Sequence, residues 1–158
     1  MNVERFLSRA HERGADAIQL DLEDSIAPAD KADARGRVEG AVARLRREGR
    51  SDILVRINQP LEDAVRDLEV AVIPGVDAIM VTKVEGPDHL RLLDELVSRL
   101  EMRRGLPQGG IRFLALIEAP GPWRRPMPSP IPRRGWSGCR WARRITPRPS
   151  AGSPRRRC

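Results

Sequence analysis

Seven polar side chains stand where apolar runs give out. Asp21, Glu23 and Asp24 lie in Leu20-Asp21-Leu22-Glu23-Asp24, and Arg56 and Asn58 lie in Val55-Arg56-Ile57-Asn58. Lys83 follows Val81-Thr82, and Glu118 ends the run Leu114–Ile117. Carboxylate oxygens suit a hard cation such as Mg²⁺, which takes one or two protein carboxylates and completes its shell with water and substrate. The planar fork of arginine matches a substrate carboxylate in bidentate fashion. The set therefore suits an anionic substrate beside a divalent cation. Each member also has a plainer reading. Asp24 and Ser25 could cap a following helix. Arg56 could form a structural ion pair with Asp21 or Glu23, and Lys83 and Glu85 could sit in a solvated loop. Glu118 is hardest to explain structurally, because it directly ends an apolar strand.

Elements that would carry these residues follow from periodicity. Ile18, Leu20 and Leu22 alternate with Gln19, Asp21 and Glu23, as in a strand over 17–23. Further strands are predicted at 53–57, 78–82 and 111–117. Amphipathic helices fall between them. Val3, Phe6, Leu7 and Ala10 mark one before Gly14, and Ala34, Val38, Ala41, Val42 and Leu45 mark one from Pro28 to Glu48. Leu61, Ala64, Val65, Leu68, Ala71 and Val72 give a third, and Leu90, Leu93, Leu96, Val97 and Leu100 a fourth that Gly105 closes. Helix and strand alternate four times, which implies a parallel sheet covered by helices. An open doubly wound sheet and a (β/α)8 barrel both satisfy that order, and both place chemistry at the carboxyl ends of the strands. No G-x-G-x-x-G or P-loop follows the first strand, which weakens a nucleotide-binding reading.

The charge is unevenly distributed. The 158 residues carry a formal net charge of +7, with 29 Lys and Arg against 22 Asp and Glu. Residues 1–121 hold all 22 acidic groups and 18 of the basic ones, a balance of 18 − 22 = −4. Residues 122–158 hold 11 arginines and no Lys, Asp or Glu, together with all three tryptophans and both cysteines. No apolar run approaches the roughly 18 residues of a membrane helix and no signal peptide is legible, so a cytoplasmic protein is expected. Two cysteines do not make a disulfide scaffold, and Cys139 and Cys158 have no metal-ligand spacing. His11 and His89 fall on predicted helices and read as surface residues.

Gly14-Ala15-Asp16-Ala17 running into Leu20-Asp21-Leu22-Glu23-Asp24-Ser25, with Pro28 and Lys31, resembles the citrate lyase β-subunit branch of the HpcH/HpaI aldolases, which also includes the malyl-CoA lyases. Val55-Arg56-Ile57-Asn58, Lys83-Val84-Glu85 and Ala115-Leu116-Ile117-Glu118 agree in order, so the resemblance covers residues 1–121. It implies part of a TIM (β/α)8 barrel, about four βα units, and a Mg²⁺-dependent carbon–carbon lyase. Such an enzyme cleaves a 3-hydroxyacyl-CoA thioester to an acyl-CoA and a 2-oxo acid. Glu118 would be one metal carboxylate, also touching substrate. Arg56 would contact a substrate carboxylate or enolate oxygen, with Asn58 beside it, and Asp21, Glu23, Asp24 and Lys83 would support them. Assembly as a homotrimer or homohexamer is the family expectation. The Asp-Leu-Glu-Asp stretch favours the CoA branch over the pyruvate-class aldolases, which are the alternative enzyme reading.

Two departures shape the expectation for this chain. No acidic residue follows Glu118, so the second metal carboxylate the resemblance implies has no counterpart. A complete barrel needs about 250 residues, and only four strands are legible here. Residues 122–158 read as a disordered basic tail whose composition suits a GC-rich gene translated out of frame. The competing reading is a genuine tail binding nucleic acid nonspecifically through phosphates. Little or no lyase activity is expected from this chain by itself.

Overall fold

The computed structural model describes residues 14–118. The amino-terminal helix expected before Gly14 and the 122–158 segment lie outside the described residues. Strand β1 (Ala17–Asp21) leads through a 3₁₀ turn (Pro28–Asp30) into α1 (Lys31–Gly36) and α2 (Val38–Glu48). Then follow β2 (Asp52–Ile57), α3 (Leu61–Ala71), β3 (Ala78–Val81), α4 (Pro87–Arg103) and β4 (Arg112–Ala115). The four strands form one parallel sheet in the order β1-β2-β3-β4. This is α/β architecture, four of the strands of a (β/α)8 barrel, built from consecutive βα units.

The register explains the layering. Ile18 pairs with Ile53, Leu20 with Val55, Ile57 with Val81, and Ile79 with Phe113. These residues share one face and pack with Val38, Val42, Leu68, Leu93, Val97 and Leu100 from the helices into one core. The opposite face carries Gln19, Leu54, Met80 and Leu114 at mid-sheet and ends in Asp21 and Arg56. Period-two alternation thus sorts apolar bulk toward the helices and charge toward the other side.

Four expectations need correction. The first strand ends at Asp21 and not at Glu23: beyond its register with Arg56 only the Leu22 amide still bonds β2, and the chain turns at Glu23–Ile26. The helix expected over 28–48 is broken at Arg37, which sits between α1 and α2 beside Gly36. Glycine gives up more conformational freedom than any other residue on entering a helix, so the chain changes direction there cheaply. The last strand is shorter than 111–117, because β3 ends at Val81, the partner of Ala115, leaving little ladder beyond. Leu61 and Val65 are not core residues of α3: they are 51% and 36% exposed. The buried stripe runs instead through Ala64, Asp67, Leu68 and Ala71, with a carboxylate in its midst.

Candidate functional site

Because Asp21 and Arg56 are register partners on adjacent strands, their side chains leave the same face side by side. Arg56 Nε donates to Asp21 Oδ1 at 2.7 Å, and Nη2 donates to Oδ2 of the same carboxylate. Arg56 Nη1 lies 3.1 Å from Glu23 Oε2. Asp21 also accepts from the Glu23 amide at 2.9 Å and from the amide and hydroxyl of Ser25. Glu23 is only 4% exposed. Its Oε1 accepts from Thr82 Oγ1 at 2.9 Å and pairs with Lys83 Nζ at 2.8 Å. Its Oε2 has no hydrogen bond among the described residues and faces the Arg56 guanidinium. Lys83 Nζ lies 3.3 Å from Asp24 Oδ1.

These contacts fix charge states. Burial pushes the Asp21 carboxyl up, but the Arg56 and Ser25 side chains and the Glu23 amide outweigh it and hold it well below the usual carboxylate range. Arg56 is raised, first by its hydrogen bonds to Asp21, against the opposing effect of burial. Lys83 is raised by its bonds to Glu23 and Asp24. All three groups are therefore ionised at neutral pH.

Lys83 owes its place to its backbone. Its φ of 51° is the sole positive value at a non-glycine residue among the described residues. Thr82 continues the alternation from Met80 and reaches Glu23; the left-handed turn at Lys83 brings the next side chain round to the same carboxylate. Such a conformation costs on the order of 1–3 kcal/mol and persists only where surroundings impose it.

Of the seven residues singled out by sequence, Asp21, Glu23, Asp24, Arg56 and Lys83 form this one cluster. The ion-pair reading of Arg56 is what the geometry displays, with both carboxylates at once. Asp24 and Ser25 do not cap the following helical turn, whose cap position is Ala27 without a side-chain bond. Lys83 is half exposed yet engaged, while exposed Glu85 accepts from Gln59. His89 stays local, its Nδ1 taking a 3.4 Å contact from the Glu85 amide.

Asn58 departs from expectation. Alternation from Arg56 would put it on the charged face, but β2 ends at Ile57 and the chain turns. Asn58 is 4% exposed and bonds Asp67 Oδ2 and the Leu22 carbonyl, so it does not line the mouth beside Arg56. Glu118 lies three residues past β4, exposed, at the same end of the sheet. With β3 between β2 and β4, roughly 10 Å separates the lines of the Arg56 and Glu118 strands.

Thr82 and Asp67 belong to the arrangement but do not stand out in the sequence, while Ser25, a cap candidate by sequence, instead bonds Asp21. The partners of Thr82 and Asp67 lie at long sequence separations, beyond periodicity's reach. Asp67 alone left a sequence signal, as a carboxylate at a stripe position of an amphipathic helix.

The described residues do not make a metal site unaided. No group of three or more His, Cys, Asp or Glu side chains among them could hold an ion. Asp21 and Glu23 are committed to Arg56 and Lys83, which leaves Glu118 as a lone exposed carboxylate. No described helix is long and apolar enough to cross a membrane.

A parallel sheet backed by helices, with ionised groups meeting at the carboxyl ends of neighbouring strands, is the arrangement of an α/β-barrel protein. Residues 2–121 match the profile of the HpcH/HpaI aldolase/citrate lyase family. The chain belongs to that family. It is 35% identical over 107 residues to the citrate lyase subunit beta of Leuconostoc mesenteroides subsp. cremoris, covering 67% of this chain and 35% of that one. It is 42% identical over 110 residues to the L-malyl-CoA/beta-methylmalyl-CoA lyase of Cereibacter sphaeroides, covering 66% of this chain and 34% of that one. The chain thus spans about a third of the length of these curated relatives. Among solved structures, Haloferax volcanii malate synthase in its lead(II) complex superposes with a TM-score of 0.67 at 19% identity, over 75% of this chain and 39% of that one. Its magnesium/glyoxylate complex gives 0.65 at 17% identity, over 73% and 37%.

Proposed function

We propose that this chain carries the arginine–carboxylate half of the site of a carbon–carbon lyase acting on a 3-hydroxyacyl-CoA thioester. The products would be an acyl-CoA and a 2-oxo acid. The observation that carries the reading is Arg56, gripped along one edge by Asp21 and braced by Glu23. A guanidinium has five N–H groups. Two donate hydrogen bonds to Asp21, and Nη1 faces Glu23 without one, so 5 − 2 = 3 make no hydrogen bond among the described residues. Those on the free edge would receive an anionic oxygen.

In the cleavage, a proton leaves the 3-hydroxyl and the bond between the carbinol carbon and the thioester α-carbon breaks. The carbinol oxygen becomes the 2-oxo group, and the electron pair passes into a thioester enolate. Protonation of the enolate at carbon gives the acyl-CoA. Arg56 would stabilise the developing anionic oxygen, which is strongest when the donor is already oriented and partly shielded from water. Asp21 and Glu23 hold Arg56 in place; Thr82, Lys83 and Asp24 hold Glu23. Magnesium dependence rests on the family resemblance and on Glu118; the described carboxylates do not by themselves form a cation site.

The family match ends at residue 121, three residues after the last acidic group, Glu118. This supports treating 122–158 as a separate segment, and translating the encoding DNA in its other two frames tests the out-of-frame origin. Recovery of a Gly-Ala-Glu-Asp-like stretch is expected. For function, the purified 158-residue protein is titrated with glyoxylate in the presence of Mg²⁺, observing the Arg56 Nε–H signal by NMR, and is assayed for acetyl-CoA release from malyl-CoA. Saturable binding without turnover is expected. Absence of binding would overturn the assignment of Arg56, and robust turnover would overturn the expected inactivity.

A further inference from the structure

We infer that Asp67, a fully buried carboxylate on α3, is a positioning residue that sets the geometry of Arg56 from behind the sheet. Asp67 is 0% exposed. Its Oδ2 accepts from the Asn58 amide at 2.8 Å and from Asn58 Nδ2 at 2.7 Å. Its Oδ1 accepts from Arg35 Nε at 2.7 Å, while Arg35 Nη2 reaches Asp63 at 2.7 Å. Asn58 Nδ2 also donates to the Leu22 carbonyl at 2.9 Å, and Lys31 Nζ donates to Asn58 Oδ1. Leu22 in turn donates its amide to the Arg56 carbonyl at 3.0 Å and stands between Asp21 and Glu23, the two carboxylates that grip Arg56.

The path is short and continuous: Asp67, Asn58, Leu22, then the Asp21 and Glu23 side chains on either side of it. One buried carboxylate thus ties the end of β2 to the loop after β1. These are the two segments whose relative placement decides where the guanidinium edge points. A buried charge that merely stabilised packing could be replaced by a well-packed apolar group. Here the two oxygens divide the work: Oδ1 takes the Arg35 guanidinium, while Oδ2 takes both the backbone and side-chain N–H of the loop residue Asn58, so the carboxylate also fixes a position.

The inference rests on the reading of Arg56 as an anion-binding group, and the test separates the two. Asp67→Asn and Asn58→Ala are made in the full 158-residue chain, with Glu101→Gln as control. Glu101 is another fully buried carboxylate, whose oxygens accept from the Gly109 and Ile111 amides at the far end of the sheet. The first readout is the Arg56 Nε–H resonance of the ligand-free protein; the second is glyoxylate affinity in the presence of Mg²⁺. Both test variants are expected to move the Arg56 resonance and weaken glyoxylate binding by roughly two- to thirty-fold. The double variant should be no worse than the stronger single one, while Glu101→Gln shifts neither readout. If the wild type binds no glyoxylate, the functional reading fails, yet the Arg56 resonance still tests the positioning. An unmoved resonance in folded Asp67→Asn and Asn58→Ala, or loss of the fold in both, would assign Asp67 a purely structural role and overturn the inference.

Discussion

Both ends of the sheet hold an arginine paired with an aspartate, and the two pairs are built differently. At the amino ends of the strands, Arg46 gives Nε and Nη2 to the Gly75 carbonyl at 2.9 and 2.7 Å, Nη1 to the Ser51 carbonyl at 3.2 Å, and Nη2 also to Asp77. Asp77 in turn accepts from the Ile53 amide at 2.8 Å. Arg46 lines a cavity of about 450 Å³ with Ile73, Leu106 and Ile111, but its donors are spent on two backbone carbonyls and Asp77. At the carboxyl ends, the Arg56 guanidinium touches only carboxylates among the described residues and keeps part of its fork without a hydrogen bond there. Both guanidiniums are similarly shielded, so burial does not distinguish them. What distinguishes them is that Arg46 spends most of its contacts on carbonyls that the fold must satisfy, whereas Arg56 is held by carboxylates alone among the described residues. The cavity at the amino ends is therefore lined by a structural arginine, whereas the ionised cluster stands at the carboxyl ends.

The sharpest way to break this contrast is to remove each arginine. Arg46→Met strands a buried Asp77 and two carbonyls, and is expected to destabilise by about 3–5 kcal/mol in urea unfolding. Arg56→Met should cost less stability and abolish glyoxylate binding. If Arg56→Met proved the more destabilising of the two, the division into a structural and a functional end would fail.

Acid titration separates the ends further. Asp21 has a depressed folded-state pKa, so its ionised form contributes stability that is fully present above its unfolded value of about 3.9. That contribution is lost as pH falls below this value toward the lower folded one, because the unfolded chain binds the proton first. Stability should therefore fall steeply below about pH 4. Asp21→Asn should lower stability at neutral pH and flatten that acid limb. An unchanged slope, measured by denaturation at successive pH values, would mean that Asp21 is not the group so strongly held.

How far the sequence could foresee this follows from the range of each interaction. The strands were legible because Ile18, Leu20, Ile53, Val55 and Ile57 encode their facing locally, two residues at a time. The cluster of Asp21, Glu23 and Arg56 was legible because strand ends in parallel sheets converge. Asn58 was misplaced because alternation holds only while the strand does, and β2 stops one residue earlier. The break at Arg37 was missed because the apolar stripe of Val38, Ala41, Val42 and Leu45 continues in phase with Ala34 across it. Thr82 could not have been found, since its partner Glu23 is 59 residues away and a threonine ending a strand is ordinary. Asp67 could have been found: it stands three residues after Ala64 and one before Leu68, where a helix facing a core tolerates charge only if something satisfies it.

The smallest expected effect is at Lys83, where two opposing contributions nearly cancel in stability but not in function. Lys83→Gly relieves a left-handed backbone, worth on the order of 1 kcal/mol, and adds glycine's freedom to the unfolded chain, which takes part of that back. It also removes a half-exposed ammonium from Glu23, a pair that solvent screens strongly and that contributes little to stability. The net change in unfolding free energy should therefore fall within about 1 kcal/mol of zero. Glyoxylate affinity should nevertheless drop severalfold, because Glu23 is left with Thr82 and Arg56 alone and its hold on the guanidinium loosens. A Lys83→Asn variant, which tolerates the left-handed conformation but lacks the charge, should match the glycine variant in binding. If it bound glyoxylate as wild type does, the strained backbone at this position would serve the fold of the loop and not the charged end of the sheet.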